Sequence, residues 1–268
     1  MTADLPSIAA TPGETYELDI VIPVYNEGAN ILRVLAALDD AVETSSLVLI
    51  CYDFEEDDTL AAVREHWRGS IPVRFVRNPT RGPHSAVMAG LAAGRAPYAV
   101  VFPADDDFNP GQLDAMVAKA REGNEIVCAS RFMEGGAMVG CPWLKALLVR
   151  TAAVTLHHVA GVPTHDATNG FRLFSRRVID EIAVASTEGF TYSIEFLVKA
   201  HRLRWPIAEV PVRWYEREHG QSRFKVLRWV PAYLRWYLYA FATSFARRAP
   251  DTVALKPSAH LGRDGRAS

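Results

Sequence analysis

Four times in its first half the chain passes from a short run rich in Val and Ile to a longer amphipathic stretch. The apolar runs are LDIVIPV (18–24), LVLICY (47–52), VRFV (73–76), YAVVF (98–102) and EIVCAS (125–130). Runs this short and this apolar suit strands buried on both faces. Between them, GANILRVLAALDDAV, EDDTLAAVREHW, HSAVMAGLAAG and PGQLDAMVAKAREG carry apolar residues at helical spacing, and two of them end near Gly. Repeated strand–helix alternation predicts an α/β fold of the Rossmann type, a mostly parallel sheet flanked by helices. Such sheets bind ligands beyond the carboxyl ends of their strands. The loop after each apolar run is therefore where chemistry is expected.

Each of those loops carries polar residues. IPVYNEGANI sets Asn26 and Glu27 just past the first strand, as acceptors for a base or ribose or as caps of the next helix. Asp53 holds the analogous place after the second strand, while Glu55, Glu56 and Asp57 suit the N-terminus of the helix that follows. After the third, Arg81, Gly82 and His84 precede a helix start, a setting for a phosphate or sugar nucleotide. After the fourth comes VFPADDDFNP (101–110), with Asp105, Asp106 and Asp107 in a row. Carboxylates crowded at a strand end repel one another unless a cation pairs with them. Mg²⁺ or Mn²⁺, which takes one or two carboxylates and completes its shell with substrate phosphates, is the natural partner. A solvated acidic loop is the plain alternative.

The pattern changes after residue 140. A helix is expected over 141–161, then the loop VPTHDATNG, a strand FRLF, helices RRVIDEIA and SIEFLVKAHRL, and a strand IAEVPVRW. Asp166 is a candidate base or sugar-hydroxyl acceptor, or else part of a turn; His165 reads as a loop histidine. Glu195 is the second candidate base, or the partner of a buried arginine. The loop REHGQSRFK gathers Arg217, Arg223 and Lys225, cations suited to a diphosphate or lipid phosphate, or a basic surface loop. WVPAYLRWYLYAFATSFARR (229–248) has the length of a spanning helix, about 20 residues, but contains Arg235 and ends in two arginines. Its aromatic content suits a helix lying in a membrane interface or packed on the protein or a second subunit.

With a net charge of −2 there is no electrostatic case for nucleic acid. Cys51, Cys128 and Cys141 show no metal spacing, and the first two sit in apolar runs, as reduced core thiols of a cytoplasmic protein do. The N-terminal stretch lacks the basic start and apolar core of a signal peptide. The expected organisation is a flexible tail (1–15), one catalytic domain (16–226), an interfacial or packing helix (227–248) and a disordered tail (249–268).

PVYNE, an Asp after the second strand, an RG turn, the acidic loop, DATNGFR, IEF and EVPVRW…R..G.S.FK stand in one order over roughly residues 18–226. Together they resemble the family-2 glycosyltransferases, in particular the polyprenyl-phosphate branch that includes dolichyl-phosphate mannose synthase. The resemblance implies a GT-A fold and transfer of a sugar from a nucleotide-diphosphate donor with inversion at the anomeric carbon. It also implies a polyprenyl-phosphate acceptor, met by peripheral contact with the inner membrane face; a soluble hydroxyl acceptor, a non-catalytic sugar-nucleotide binder and a homo-oligomer are the alternatives carried with it. By the same likeness Pro23, Tyr25, Glu27 and Asp53 hold the nucleotide, with Asn26, Arg81 and Gly82 beside them. Asp106 binds the metal, flanked by Asp105 and Asp107, and Arg217 and Lys225 meet the phosphates. Two positions depart from the family pattern: Ala104 stands where its first Asp would be and Phe108 where a Gln is usual.

Overall fold

A computed structural model describes residues 14–215 and 226–257. They divide into two compact units, one ending at Val117 and one beginning at Ala118.

In the first unit strands β1 (Leu18–Pro23), β2 (Ser46–Tyr52), β3 (Val73–Arg77) and β4 (Tyr98–Val101) lie in the order β3-β2-β1-β4, all parallel. The first two are buried along nearly their whole length, which is why they read as unbroken apolar runs. Helices α1 (Asn30–Ala41), α2 (Asp58–His66) and α3 (Pro83–Ala93) connect them. The chain builds outward from β1 to β2 and β3, then returns to place β4 on the other side of β1. That reversal puts a switch point between β1 and β4, where two loops leave the sheet in opposite directions and open a crevice. Helix α4 (Gln112–Arg121) follows and runs across the boundary between the units.

Gly90 sets how closely α3 lies on the sheet. A Cβ there would come within 2.5 Å of both Cys51 Sγ on β2 and Val21 Cγ1 on β1. Gly90→Ala is expected to destabilise the protein by about 1–3 kcal/mol, as overpacking of a close-packed core does. Urea unfolding should show a lower midpoint with an unchanged slope.

In the second unit β5 (Ile126–Ser130) lies between β7 (Arg172–Ser175) and β8 (Ile207–Pro211), antiparallel to the first and parallel to the second. A second, two-stranded sheet pairs β6 (Ala137–Val139) with β9 (Arg213–Tyr215). Helices α5 (Trp143–Val154), α6 (Arg176–Glu181), α7 (Thr191–Arg202) and α8 (Val226–Phe245) complete the unit.

Three expectations change here, and one strand was not foreseen. The strand expected over IAEVPVRW is two strands, because the chain breaks at Val212, whose N–H bonds Ser130 O. The helix expected over 141–161 stops at Val154 and continues as a π-helical turn, Thr155–Val159. Three-residue β6 has too short a pattern to register in the sequence. The tail expected to be disordered from residue 249 is ordered in its first part. Pro250–Thr252 forms a 3₁₀ turn, Leu255 bridges to Ile182, and Lys256 donates from its backbone to Glu181 O (2.8 Å) and from Nζ to Ile179 O (2.7 Å). These are single contacts without periodicity, so no sequence pattern announces them.

Helix α8 packs one face on its own unit. Trp236 and Ala240 are buried, and Arg202 donates to Tyr239 O (2.9 Å) and Thr243 Oγ1 (2.9 Å). Among the described residues no helix is long and apolar enough to cross a membrane.

Candidate active site

The carboxyl edge of the first unit's sheet gathers the loops singled out from the sequence. Pro23 ends β1 opposite Cys51, and Val24 N–H bonds Cys51 O, so the Tyr25–Gly28 loop leaves beside Asp53. Phe102 N–H bonds Val21 O, which starts the acidic loop at the neighbouring place across the switch point. Asn78 N–H bonds Tyr52 O and brings in the loop after β3.

The N-terminus of α2 holds the Tyr25–Gly28 loop from below. Asp57 caps that helix through Thr59 N–H (3.0 Å) and takes Asn26 N–H (3.0 Å) on its other oxygen. Thr59 Oγ1 accepts from Glu27 N–H and Asp58 from Gly28 N–H. Asn26 adopts a left-handed conformation, φ 51°. Asn26 and Glu27 do not cap α1, whose N-cap position is Ala29 without a side-chain bond. The loop backbone is thus fixed by α2, and Tyr25, half-exposed, stands edge-on to Phe54 with ring centroids 5.5 Å apart.

Asp53 is the pivot of the next loop. One carboxylate oxygen accepts from Asn78 Nδ2 (2.6 Å) and the other from Gly82 N–H (2.9 Å). Gly82 has φ +107°, a conformation that glycine adopts without steric cost, and Pro83 then opens α3. Asn78 is nearly buried. It also reaches Ser85 Oγ (2.9 Å) and accepts from Thr80 N–H (3.2 Å). Around this network lies a cavity of about 650 Å³, lined by Asp53, Phe54, Glu55, Arg77, Asn78 and Arg81 among others. Its volume suits a nucleoside. Asn78 and Arg77 escaped the sequence reading; the available signal was a polar pair directly after an apolar run.

The acidic loop divides its three carboxylates. Asp105 is exposed and Asp107 half-buried. Asp106 turns inward: its Oδ1 accepts from the backbone N–H of Phe108 (3.1 Å) and Asn109 (3.0 Å), and Asn109 Nδ2 spans both its oxygens (2.9 and 2.8 Å). Burial pushes its carboxyl above the usual range and the charge of Asp105 adds to this, against the pull of those hydrogen bonds. Among the described residues no three metal-ligating side chains converge. Asp105, Asp106 and Asp107 therefore form no ready-made cage. The oxygen donors fit a hard divalent ion whose shell is finished by diphosphate oxygens, and a half-buried carboxylate with a raised pKa gains from a cation's approach.

In the second unit Asp166 is fully buried in a paired arrangement. Arg131 donates from Nε (2.7 Å) and from its backbone N–H (3.1 Å) to Oδ2, and from Nη2 to Oδ1 (3.0 Å), while Thr168 Oγ1 donates to Oδ1 (2.8 Å). Burial alone would push this carboxyl up; the Arg131 guanidinium and these bonds outweigh it and hold it below the usual carboxylate range. Arg172, also fully buried, donates to Ser193 O (2.7 Å), Ser193 Oγ (2.9 Å) and Ala167 O (2.6 Å), fixing the same loop against α7. Glu195 pairs with Lys199 and accepts from Ala185 and Ser186 N–H, so its partner is a lysine rather than the arginine considered from the sequence. His165 bonds Glu209 and acts as a loop histidine. Arg217 and Lys225 lie outside the described residues.

The sequence profile described as glycosyl transferase family 2 matches residues 19–183, well over half of the chain. A curated relative, polyprenol monophosphomannose synthase of Mycolicibacterium smegmatis, is 26% identical over 82% of this chain and 89% of its own. Dolichol-phosphate mannosyltransferase of Pyrococcus furiosus is 22% identical over 82% of this chain, which spans only 64% of that protein's length. Among solved structures, glucosyl-3-phosphoglycerate synthase of Mycobacterium tuberculosis is similar in fold. Its complex with Mn²⁺, uridine diphosphate and phosphoglyceric acid gives a TM-score of 0.60 at 19% identity, covering 85% of this chain and 78% of that one. Its complex with Mg²⁺ and uridine diphosphate gives 0.59 at 20% identity, covering 88% and 81%. The loops just described fall in sequence order along a GT-A fold, and by that order and that match the chain belongs to glycosyl transferase family 2.

Proposed function

We propose that this glycosyltransferase moves a sugar from a nucleotide-diphosphate donor to a polyprenyl phosphate, with inversion, as a peripheral protein at the cytoplasmic face of the membrane. The observation that carries the acceptor is the state of the two candidate bases. Asp166 is saturated by Arg131 and Thr168, and Glu195 by Lys199 and two amides. Neither is placed to take a proton from a hydroxyl. A phosphate acceptor is already ionised at neutral pH and needs no such base. The two curated relatives are named for polyprenol and dolichol phosphate chemistry, which agrees with this reading.

In the donor site Tyr25 and Phe54 offer apolar faces to the base, Asp53 and Asn78 offer polar edges to base or ribose, and Arg81 meets the phosphates. Pro23, Asn26 and Glu27 frame the crevice, and Gly82 keeps its floor clear of a side chain. Mg²⁺ or Mn²⁺, when bound, would neutralise charge on the departing diphosphate. Asp106 with Asp105 or Asp107 would hold it, and Arg217 and Lys225 would share the phosphate charge.

Radiolabelled donor, polyprenyl phosphate and Mn²⁺ should give label in an organic-extractable product. Label transferred only to a water-soluble saccharide would reject the lipid acceptor, and donor that is bound but never turned over would reject catalysis. Asp106→Asn should lower Mn²⁺-dependent turnover about a hundredfold, the scale of a lost charge-stabilising contact. Turnover and metal dependence equal to wild type would remove Asp106 from the metal site.

A further inference from the structure

The strand order fixes which way a donor runs along the carboxyl edge of the first unit. The cavity around Asp53 and Asn78 is lined by the loops after β2 and β3, and the acidic loop follows β4, on the far side of β1. Neighbouring strands lie about 4.8 Å apart, so the acidic loop starts roughly 10–14 Å from the loops that line the cavity. An extended nucleoside diphosphate covers that span from its base to its distal phosphate. With the base in the cavity and the diphosphate on an ion at Asp106, the sugar is the part of the donor that comes to the acidic loop.

That loop exposes one apolar side chain. Phe102, Ala104 and Pro110 are buried, whereas Phe108 is 68% exposed. A single exposed Phe on an outer surface needs no explanation. The place of this one is set by Asp106: its backbone N–H donates to Asp106 Oδ1 (3.1 Å), and two chain steps separate their Cα atoms by at most about 7 Å. Across the switch point, in the loop after β1, Tyr25 is 51% exposed. The two loops leave paired strands, β1 and β4, whose ends are joined by the bond from Phe102 N–H to Val21 O. An aromatic side chain is thus available on either side of the crevice, Tyr25 towards the base and Phe108 beyond the diphosphate. Phe108 also stands where the family pattern has Gln, so it is a feature of this chain. An amide there could bond a hydroxyl or an ion; a phenyl ring offers only its π face and edge.

We propose that Phe108 stacks on the apolar C–H face of the donor's sugar and is a specificity-determining contact for it. The face of the ring is electron-rich, and the C–H bonds of a pyranose turn partial positive charge towards it while the hydroxyls at the sugar's rim stay in water. This contact rests on the donor site of the proposed reaction and assigns the sugar a place in it.

The test is calorimetric titration of the full chain in Mn²⁺ with matched pairs: UDP and UDP-glucose, GDP and GDP-mannose, dTDP and dTDP-glucose. Substitution at Phe108 keeps the backbone N–H that bonds Asp106 and changes an exposed side chain, so the fold and the acidic loop persist. In the pair that wild type binds, Phe108→Ala should weaken the sugar nucleotide about threefold to tenfold and the bare diphosphate less than about twofold. Phe108→Trp, which keeps an aromatic face, should hold the wild-type ratio of the two affinities. That ratio unchanged in Phe108→Ala overturns the proposal, whether both affinities stay or both fall together. A raised KM for polyprenyl phosphate with the donor ratio unchanged would assign the ring to the acceptor chain instead. Wild type that binds none of the diphosphates would reject the donor site itself, and the sugar contact with it. Phe108 fails alone when wild type binds both members of a pair and Phe108→Ala keeps their ratio.

Discussion

Asp53→Ala is expected to lower kcat/KM for the donor by about a hundredfold or more, and to abolish the thermal shift given by nucleoside diphosphates. The carboxylate does two things at once. It presents an acceptor edge to the cavity, and it ties Asn78 Nδ2 and Gly82 N–H together across the loop after β3. A hydrogen bond to a charged group contributes about 1.5–3 kcal/mol, and each 1.4 kcal/mol lost from transition-state binding is about tenfold in rate. Alanine removes both anchors, so the Gly82 turn and Asn78 lose the positions that line the cavity. Asn is no remedy: its amide would aim N–H groups at one of two donors. Asp53→Asn should therefore behave like alanine in the donor KM. Donor KM and diphosphate melting shifts equal to wild type in both variants would remove Asp53 from the donor site.

What could be read in advance follows the strength of the local pattern. The runs that became β1, β2 and β5 are buried nearly throughout, so composition alone identified them. Asp53 and the acidic loop were expected just past strand ends, where parallel sheets bind ligands, and they lie just past β2 and β4. What was not legible depends on contacts distant in sequence. Arg131 precedes Asp166 by 35 positions, and nothing in SRFMEGG marks it as that carboxylate's partner. Asn78 lies 25 residues from Asp53. The antiparallel β7 and the split of β8 from β9 are likewise set by pairing rather than by local propensity. Asp106 shows the limit from the other side. Its position was expected to point to a metal, yet the side chain closes its own loop on Asn109. A short turn can use a carboxylate as an internal acceptor whether or not a cation also approaches.

Asp166→Asn should cost about 3–5 kcal/mol of stability, the range for breaking a buried ion pair by removing one partner. Arg131, only 11% exposed at its side chain, would be left against an amide that aims N–H groups back at it. Since whole domains are stable by about 5–15 kcal/mol, this is a large fraction, and urea unfolding should register it clearly. Replacing both partners with apolar residues of similar volume, Arg131→Met with Asp166→Leu, should recover much of the loss, because no buried charge then lacks a partner. The pH dependence has a definite sign. The folded carboxyl lies below its unfolded value of about 3.9, so the unfolded chain takes up the proton first as pH falls. The contribution is fully present above that value and is lost as pH drops through the lower, folded one. Wild type and Asp166→Asn should therefore converge in stability in acid and diverge towards neutrality. Kinetics separate this positioning role from catalysis. A general base would lose kcat in Asp166→Asn with stability unchanged, whereas a positioning residue loses stability while kcat per folded molecule changes little. A collapse of kcat in a variant as stable as wild type would reinstate Asp166 as the base, and with it a hydroxyl acceptor.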